Sequence, residues 1–130
     1  MKDRKTFASD SKWEPLVGYS RAVRVGPHIH VSGTTATDAR GEVVDPTDAA
    51  AQAALCIQKI AAVLEEAGSS LNDVVRTRMY VSNIDNWPAI GEVHRKVFAD
   101  ISPAATMVEE SRYISDQILI EIEADSIVPD

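Results

Sequence analysis

Residues 74–81 read VVRTRMYV, and apolar and polar side chains alternate along this segment. A period of two residues is typical of a β-strand with one buried and one polar face. Residues 118–124 read ILIEIEA and predict a second strand of this kind. The predicted apolar sides are Val75, Thr77, Met79 and Val81 in the first strand and Ile118, Ile120, Ile122 and Ala124 in the second. Val74, Arg76, Arg78 and Tyr80, and Leu119, Glu121 and Glu123, form the opposite sides. The chain is therefore expected to form a sheet that is covered on one face.

The remaining elements follow from turn signals and helical spacing. Residues 19–25 and 28–33 are β-prone runs separated by Gly26-Pro27, which indicates a hairpin, and residues 42–44 predict a short third strand. Capping residues at 45–48 and Gly68 bound a predicted first helix, and residues 83–99 predict a second. The first helix should bury Ala50, Ala53, Ala54, Ile57, Ile60, Ala61 and Leu64, with Gln52 on its other side. TMVEE, at 106–110, predicts the penultimate strand.

This order predicts an α+β fold in which two helices cover one face of a single mixed sheet. The chain of 130 residues is expected to be one domain, with residues 1–15 as a flexible arm or a loosely docked strand. We expect little chemistry before Trp13. The uncovered sheet face is expected to pack against other subunits.

Composition narrows the function classes. A net charge of −7 disfavours nucleic acid as a partner, because binding to a phosphate backbone relies on clustered lysine and arginine. No apolar run approaches the ~20 residues needed to cross a bilayer, and the amino terminus lacks the apolar core of a signal peptide, so we expect a cytoplasmic protein. The sole cysteine, Cys56, is interpreted as a buried packing thiol in a reducing compartment. The three histidines, His28, His30 and His94, show no metal-site spacing.

Four separated blocks together resemble the RidA (YjgF) family, also labelled endoribonuclease L-PSP. They are GYSRAVRVGPHIHVSGTTA at 18–36, the block from Asp48 to Ile84, SPAATMVEE at 102–110 and ILIEIEA at 118–124. The resemblance covers Tyr19 to Val128 and implies a chorismate-mutase-like protomer. It also implies a homotrimer whose sheets form a central barrel, with a small-molecule cleft between each pair of neighbours. Active members hydrolyse reactive 2-imino or enamino acids to 2-keto acids and ammonia without any metal or organic cofactor.

The resemblance also implies which residues form the cleft. The glutamate of the family's active site aligns with Glu121, an aromatic cleft residue with Tyr19, and a pocket-lining S-G turn with Ser32 and Gly33. The family motif P-x-R-[ST]-x-V holds the substrate carboxylate through its arginine. Here the motif reads Pro103, Ala104, Ala105, Thr106, Met107 and Val108, so Ala105 replaces the arginine, with Thr106 and Met107 beside it. Gly91 stands where many deaminating members have an asparagine, and one extra residue lies between the motif and Glu121.

Loss of a bidentate arginine typically costs about ten- to several-hundred-fold in affinity, so activity on 2-imino acids is expected to be weak. Candidates for a substitute cation are Arg78, Arg21, Arg112 and His94. Glu121 has a structural alternative, an inter-strand ion pair with Arg76 or Arg78. Two functions stay open: a cofactor-independent imine or enamine hydrolase, and a non-catalytic trimer that binds a small metabolite. Ribonuclease activity, which the older family label suggests, is disfavoured by the acidic charge balance.

Overall fold

A computed structural model describes residues 3–130. In chain order the elements are β1 (Arg4–Phe7), α1 (Trp13–Val17), β2 (Ala22–Val25), β3 (His28–Thr35), α2 (Ala49–Glu66), β4 (Val74–Val81), α3 (Trp87–Phe98), β5 (Ala104–Glu109) and β6 (Ile120–Ile127). The strands form one six-stranded sheet in the order β1-β2-β3-β6-β4-β5. Only β4 and β5 run parallel, and all other neighbours are antiparallel. No helix in this described part of the chain is long and apolar enough to cross a membrane.

The two alternating segments form β4 and β6, and the predicted α+β architecture is confirmed. Ile120, Ile122 and Ala124 are buried beneath the helices, whereas the intervening acidic residues stay partly exposed. The pattern in β4 departs from the prediction at its start, where Val74 is 3% exposed and Val75 is 43% exposed. A register shift between β4 and β6 at this point reverses the side on which these two valines lie.

Other differences concern where elements begin. β2 starts at Ala22, so Tyr19 lies in the connection that follows α1 rather than in a strand. The predicted strand at 42–44 does not form, and only one isolated bridge joins Thr37 to Val43. The second predicted helix begins with a 3₁₀ turn over Ile84–Asn86 before α3. The arm includes β1, which pairs antiparallel with β2 at the edge of the sheet.

Gln52 was predicted to lie away from the core, but it is fully buried at 0% exposure. Its side-chain nitrogen donates to the carbonyl of Gln117 at 2.9 Å and to those of Val44 and Asp45 at 3.2 Å. Its oxygen accepts from the Leu119 N–H at 2.9 Å. The amide thus links α2 to the segments that precede α2 and β6, which explains a polar residue at a core position.

Replacing Gln52 with leucine should lower the free energy of unfolding by about 2 kcal/mol, because it leaves buried backbone groups without partners. Urea denaturation measures the difference. Gln58→Leu on the exposed side of α2 is the matched control and should change stability by less than about 0.5 kcal/mol. Equal stability of the two variants would contradict the role given to the Gln52 amide.

Candidate functional site

An open cleft of about 1420 Å³ lies beside the second half of β3 and the start of β6. Tyr19, Gly33 and Glu121, three of the residues that the sequence singles out, line it together. Residues 9–12 also line the cleft, so the arm is part of its wall. Buried Glu14 accepts hydrogen bonds from the backbone and hydroxyl of Ser9 and thereby fixes that part of the arm.

Ser32 and Gly33 lie in a β-bulge rather than in a turn. The pairing of β3 with β6 shifts register between Val31 and Thr34, and β3 continues through it. The Ser32 hydroxyl donates to the Ser20 carbonyl at 2.6 Å, which ties the bulge to the segment before β2. A Cβ atom at position 33 would lie 2.5 Å from Oε2 of Glu121, so any other residue there would displace the Glu121 carboxyl group. The bulge therefore brings the backbone of β3 against the Glu121 carboxyl group.

The Glu121 carboxyl group is more than half buried and faces the cleft. Burial raises its pKa above the ordinary glutamate value, the negative charges of Glu123 and Glu110 raise it further, and the charge of Arg21 opposes them. Within residues 3–130 no basic side chain lies in ion-pair distance of Glu121. Arg78 instead lies 3.2 Å from Asp125 and 3.9 Å from Glu123. The ion-pair alternative for Glu121 is therefore wrong.

Three further polar side chains lie around Glu121 in the cleft: Arg21, Lys59 and Tyr113. The Nη2 atom of Arg21 donates to the Gly33 carbonyl at 2.6 Å, which places the guanidinium at the bulge. Lys59 reaches over from α2 and donates to the Thr35 carbonyl at 2.7 Å and the Thr37 hydroxyl at 2.9 Å. Burial lowers the pKa of Lys59.

The Tyr113 hydroxyl donates to the Tyr80 carbonyl, and burial raises the pKa of this phenol. Lys59 and Tyr113 were missed at the sequence level, because an isolated lysine or tyrosine carries no motif. Cys56 lies near this group but is fully buried, and burial raises the pKa of its thiol to about 12. The interpretation of Cys56 as a packing residue is confirmed.

The other predicted site residues lie apart from this group. Ala105, Thr106 and Met107 are on β5, an edge strand that pairs only with β4. β4 separates β5 from the strand that carries Glu121, so the two strands are about 10 Å apart at the usual strand spacing. Gly91 lies on α3, and none of these residues lines the cleft beside Glu121. Within one chain, the predicted site is therefore split into two half-sites. The Glu121 half lies in the cleft, and the β5 half comprises residues 105–107 with Gly91.

His94 belongs to the second half. Its Nε2 atom lies 2.9 Å from the Thr77 hydroxyl, and its ring packs on Phe98 with centroids 4.6 Å apart. Thr77 is in register with Ala105, so His94 and Ala105 lie on the same side of the sheet. Burial lowers the pKa of His94, which favours the uncharged ring at neutral pH. An uncharged imidazole offers a hydrogen bond but not the positive charge of the missing arginine.

Of the four candidate cations, Arg21 and Arg112 line the cleft with Glu121, whereas Arg78 and His94 have the partners described above. No group of three or more histidine, cysteine, aspartate or glutamate side chains within residues 3–130 is arranged to hold a metal ion. The cleft combines the Glu121 carboxyl group of raised pKa with the positive charges of Arg21 and Arg112.

Comparison with known proteins places this arrangement in a family. The family model described as Endoribonuclease L-PSP matches residues 10–128. A RutC family protein of Pyrococcus abyssi is 40% identical over 112 residues, which cover 85% of this chain and 87% of the relative. The 2-iminobutanoate/2-iminopropanoate deaminase of Escherichia coli is 31% identical over 124 residues, covering 92% and 94%.

Among solved structures, Rv2704 of Mycobacterium tuberculosis, a member of the YjgF/YER057c/UK114 family, matches with a TM-score of 0.87 and 44% identity. The match covers 96% of this chain and 99% of that one. The fold and the cleft define the class: an α+β protein with one sheet and an acidic side chain in an open cleft. The chain belongs to the RidA (YjgF) family, as its sequence blocks indicated.

Proposed function

We propose that the chain hydrolyses an imine or enamine of a small metabolite, with Glu121 as the general acid and base. The observation that carries this proposal is a carboxyl group of raised pKa that faces an open cleft and forms no ion pair within the described residues. A carboxyl group whose pKa is moved toward neutrality transfers protons in both directions more effectively. The deaminase name of the Escherichia coli relative supports the same reaction class.

The reaction needs proton transfer in both directions. The Glu121 carboxylate accepts a proton from a water molecule as the water oxygen bonds to the C=N carbon, and the imine nitrogen takes up a proton from solvent to give a carbinolamine. The Glu121 carboxyl group then donates its proton to the amine nitrogen, the C–N bond breaks as the hydroxyl group releases its proton to solvent, and ammonia and a carbonyl product leave. An enamine first gains a proton at its β-carbon and so enters as the imine. No oxidant or reductant is involved.

A neighbouring chain is proposed to complete the cleft, in a homotrimer. The two half-sites of one protomer lie on different strands, and the outer edge of β5 has no strand partner within residues 3–130. Such an edge presents unpaired backbone groups that favour association with another chain. In the trimer, the β5 half of one chain would face the Glu121 half of the next.

The non-catalytic alternative rests on the β5 half. Ala105 offers no polar group to a ligand, and a Cβ atom added at Gly91 would meet only the Trp87 ring, at 3.9 Å. The positions of the family's arginine and asparagine are therefore roomy and apolar here. A trimer that binds a metabolite without converting it would fit these two residues as well as a hydrolase of altered specificity.

The pH profile of hydrolysis separates these two functions. Attack by water requires ionised Glu121, so kcat/KM should fall on the acid side with an apparent pKa above 4.5, the ordinary value for glutamate. The measurement uses 2-iminobutanoate generated in situ and an imine without a carboxylate group, with buffer alone as the control. No rate above buffer for either imine favours the binding protein, and an acid limb at or below 4.5 would contradict the role of Glu121.

A further inference from the structure

The cleft beside Glu121 is rich in positive charge although the chain is acidic. Five of the 13 lysine and arginine residues line the cleft, but only four of the 20 acidic residues do. The basic residues are Lys12, Arg21, Arg40, Lys59 and Arg112. An acidic chain that gathers its cations in one concave region is expected to attract an anion there.

Arg21 differs from the other four because its guanidinium is held at the bulge beside Glu121, where its charge acts on that carboxyl group. Among residues 3–130, its Nη2 atom donates to Gly33, and its buried Nε atom has no hydrogen-bond partner. Its guanidinium carbon lies 6.0 Å from the centre of the Tyr19 ring, which also lines the cleft. Lys59, by contrast, is engaged by Thr35 and Thr37.

We propose that Arg21 binds the anionic group of the ligand, and that this group is the carboxylate of a small acid with an apolar body. The anion contact then lies beside Glu121 in the same half-site and not on β5, where Ala105 offers none. The inference rests on the proposed function for the reacting group, while anion binding by Arg21 stands without turnover.

The neighbours of Arg21 favour a singly charged ligand. The charges of Glu123 and Glu110 act on Glu121, so a phosphate dianion would meet more repulsion than a carboxylate. The cleft also has apolar residues, including Trp13, Leu55 and Ile118, that fit the body of a carboxylic acid. A planar guanidinium matches the two oxygens of a carboxylate.

Isothermal titration with 4-methylpentanoate tests the proposal, with its neutral amide and inorganic phosphate as comparison ligands. The acid should bind to the wild-type protein, and Arg21→Gln should weaken its affinity about tenfold or more. Arg21→Lys, which keeps the charge but not the planar fork, should fall between the two. Arg4→Gln removes the same charge from an exposed position outside the cleft and should change the affinity less than about twofold.

Several results would overturn the proposal. They are no binding of the acid, equal affinity in Arg21→Gln and wild type, an equal loss in Arg4→Gln, and binding of the amide or phosphate as tightly as the acid. Thermal unfolding of each variant checks that the fold is retained, and Arg21→Lys decides the matter if Arg21→Gln does not fold. Arg21-dependent binding without turnover would contradict only the proposed hydrolysis, whereas turnover without an Arg21 effect on binding would contradict only this inference.

Discussion

Replacing Glu121 with glutamine should lower kcat/KM for imine hydrolysis by about 100- to 10,000-fold, the usual contribution of a general acid or base. Glutamine keeps the shape of the side chain against Gly33 but neither accepts nor donates the required proton. The fold should persist, because Glu121 forms no ion pair within residues 3–130. Initial rates at saturating and limiting substrate measure the loss.

Glu123→Gln is the matched control for this variant. Glu123 lies two residues further along β6, accepts from the Tyr80 hydroxyl at 2.9 Å and does not line the cleft. Removing its charge should shift the acid limb of the pH profile downward, because that charge raises the pKa of Glu121. Unchanged activity in Glu121→Gln, or an equal loss in Glu123→Gln, would contradict the proposed mechanism.

Introducing arginine at Ala105 should raise kcat/KM for 2-iminobutanoate by about ten- to several-hundred-fold. Ala105 is exposed on an edge strand, so the longer side chain has room within its own protomer. The arginine of the neighbouring chain would then add a second cationic contact to the carboxylate that Arg21 is proposed to bind. The gain should be confined to imines that carry a carboxylate, which a parallel assay of an uncharged imine checks.

Ala104→Arg provides the control for charge alone. Ala104 precedes Ala105 on β5, is also exposed, and projects its side chain to the opposite face of the strand. It should leave activity on 2-iminobutanoate within about twofold, since the added charge points away from the face of β5 that carries Ala105. An equal gain in both variants, or no gain in Ala105→Arg, would show that position 105 does not face the substrate.

Much of the fold could be predicted from the sequence because burial leaves a periodic signal. The alternation in VVRTRMYV and ILIEIEA reports which side of β4 and β6 lies beneath the helices. Exceptions arise where a local backbone feature or a polar network overrides the period. The register shift at Val74 reverses two valines, and Gln52 is buried because its amide serves four backbone groups in the segments that precede α2 and β6.

The candidate site was less predictable than the fold. Glu121, Tyr19 and Gly33 came from family motifs, and the structure brings them together in one cleft. Lys59 reaches the cleft from the middle of α2, and Tyr113 comes from the segment between β5 and β6. Their convergence depends on tertiary packing, for which a single sequence has no local pattern.

The separation of β5 from Glu121 also depends on tertiary structure. It depends on the strand order, in which β4 lies between β5 and β6, and a one-dimensional pattern does not specify that order. The proposed cleft therefore requires two chains: Glu121 of one protomer must face the β5 strand of another.

Sedimentation equilibrium at micromolar concentration tests this requirement most directly. The account predicts a species with the mass of three 14.1 kDa chains. A single species with the mass of one chain would contradict it, because the Glu121 half and the Ala105 half would then never meet.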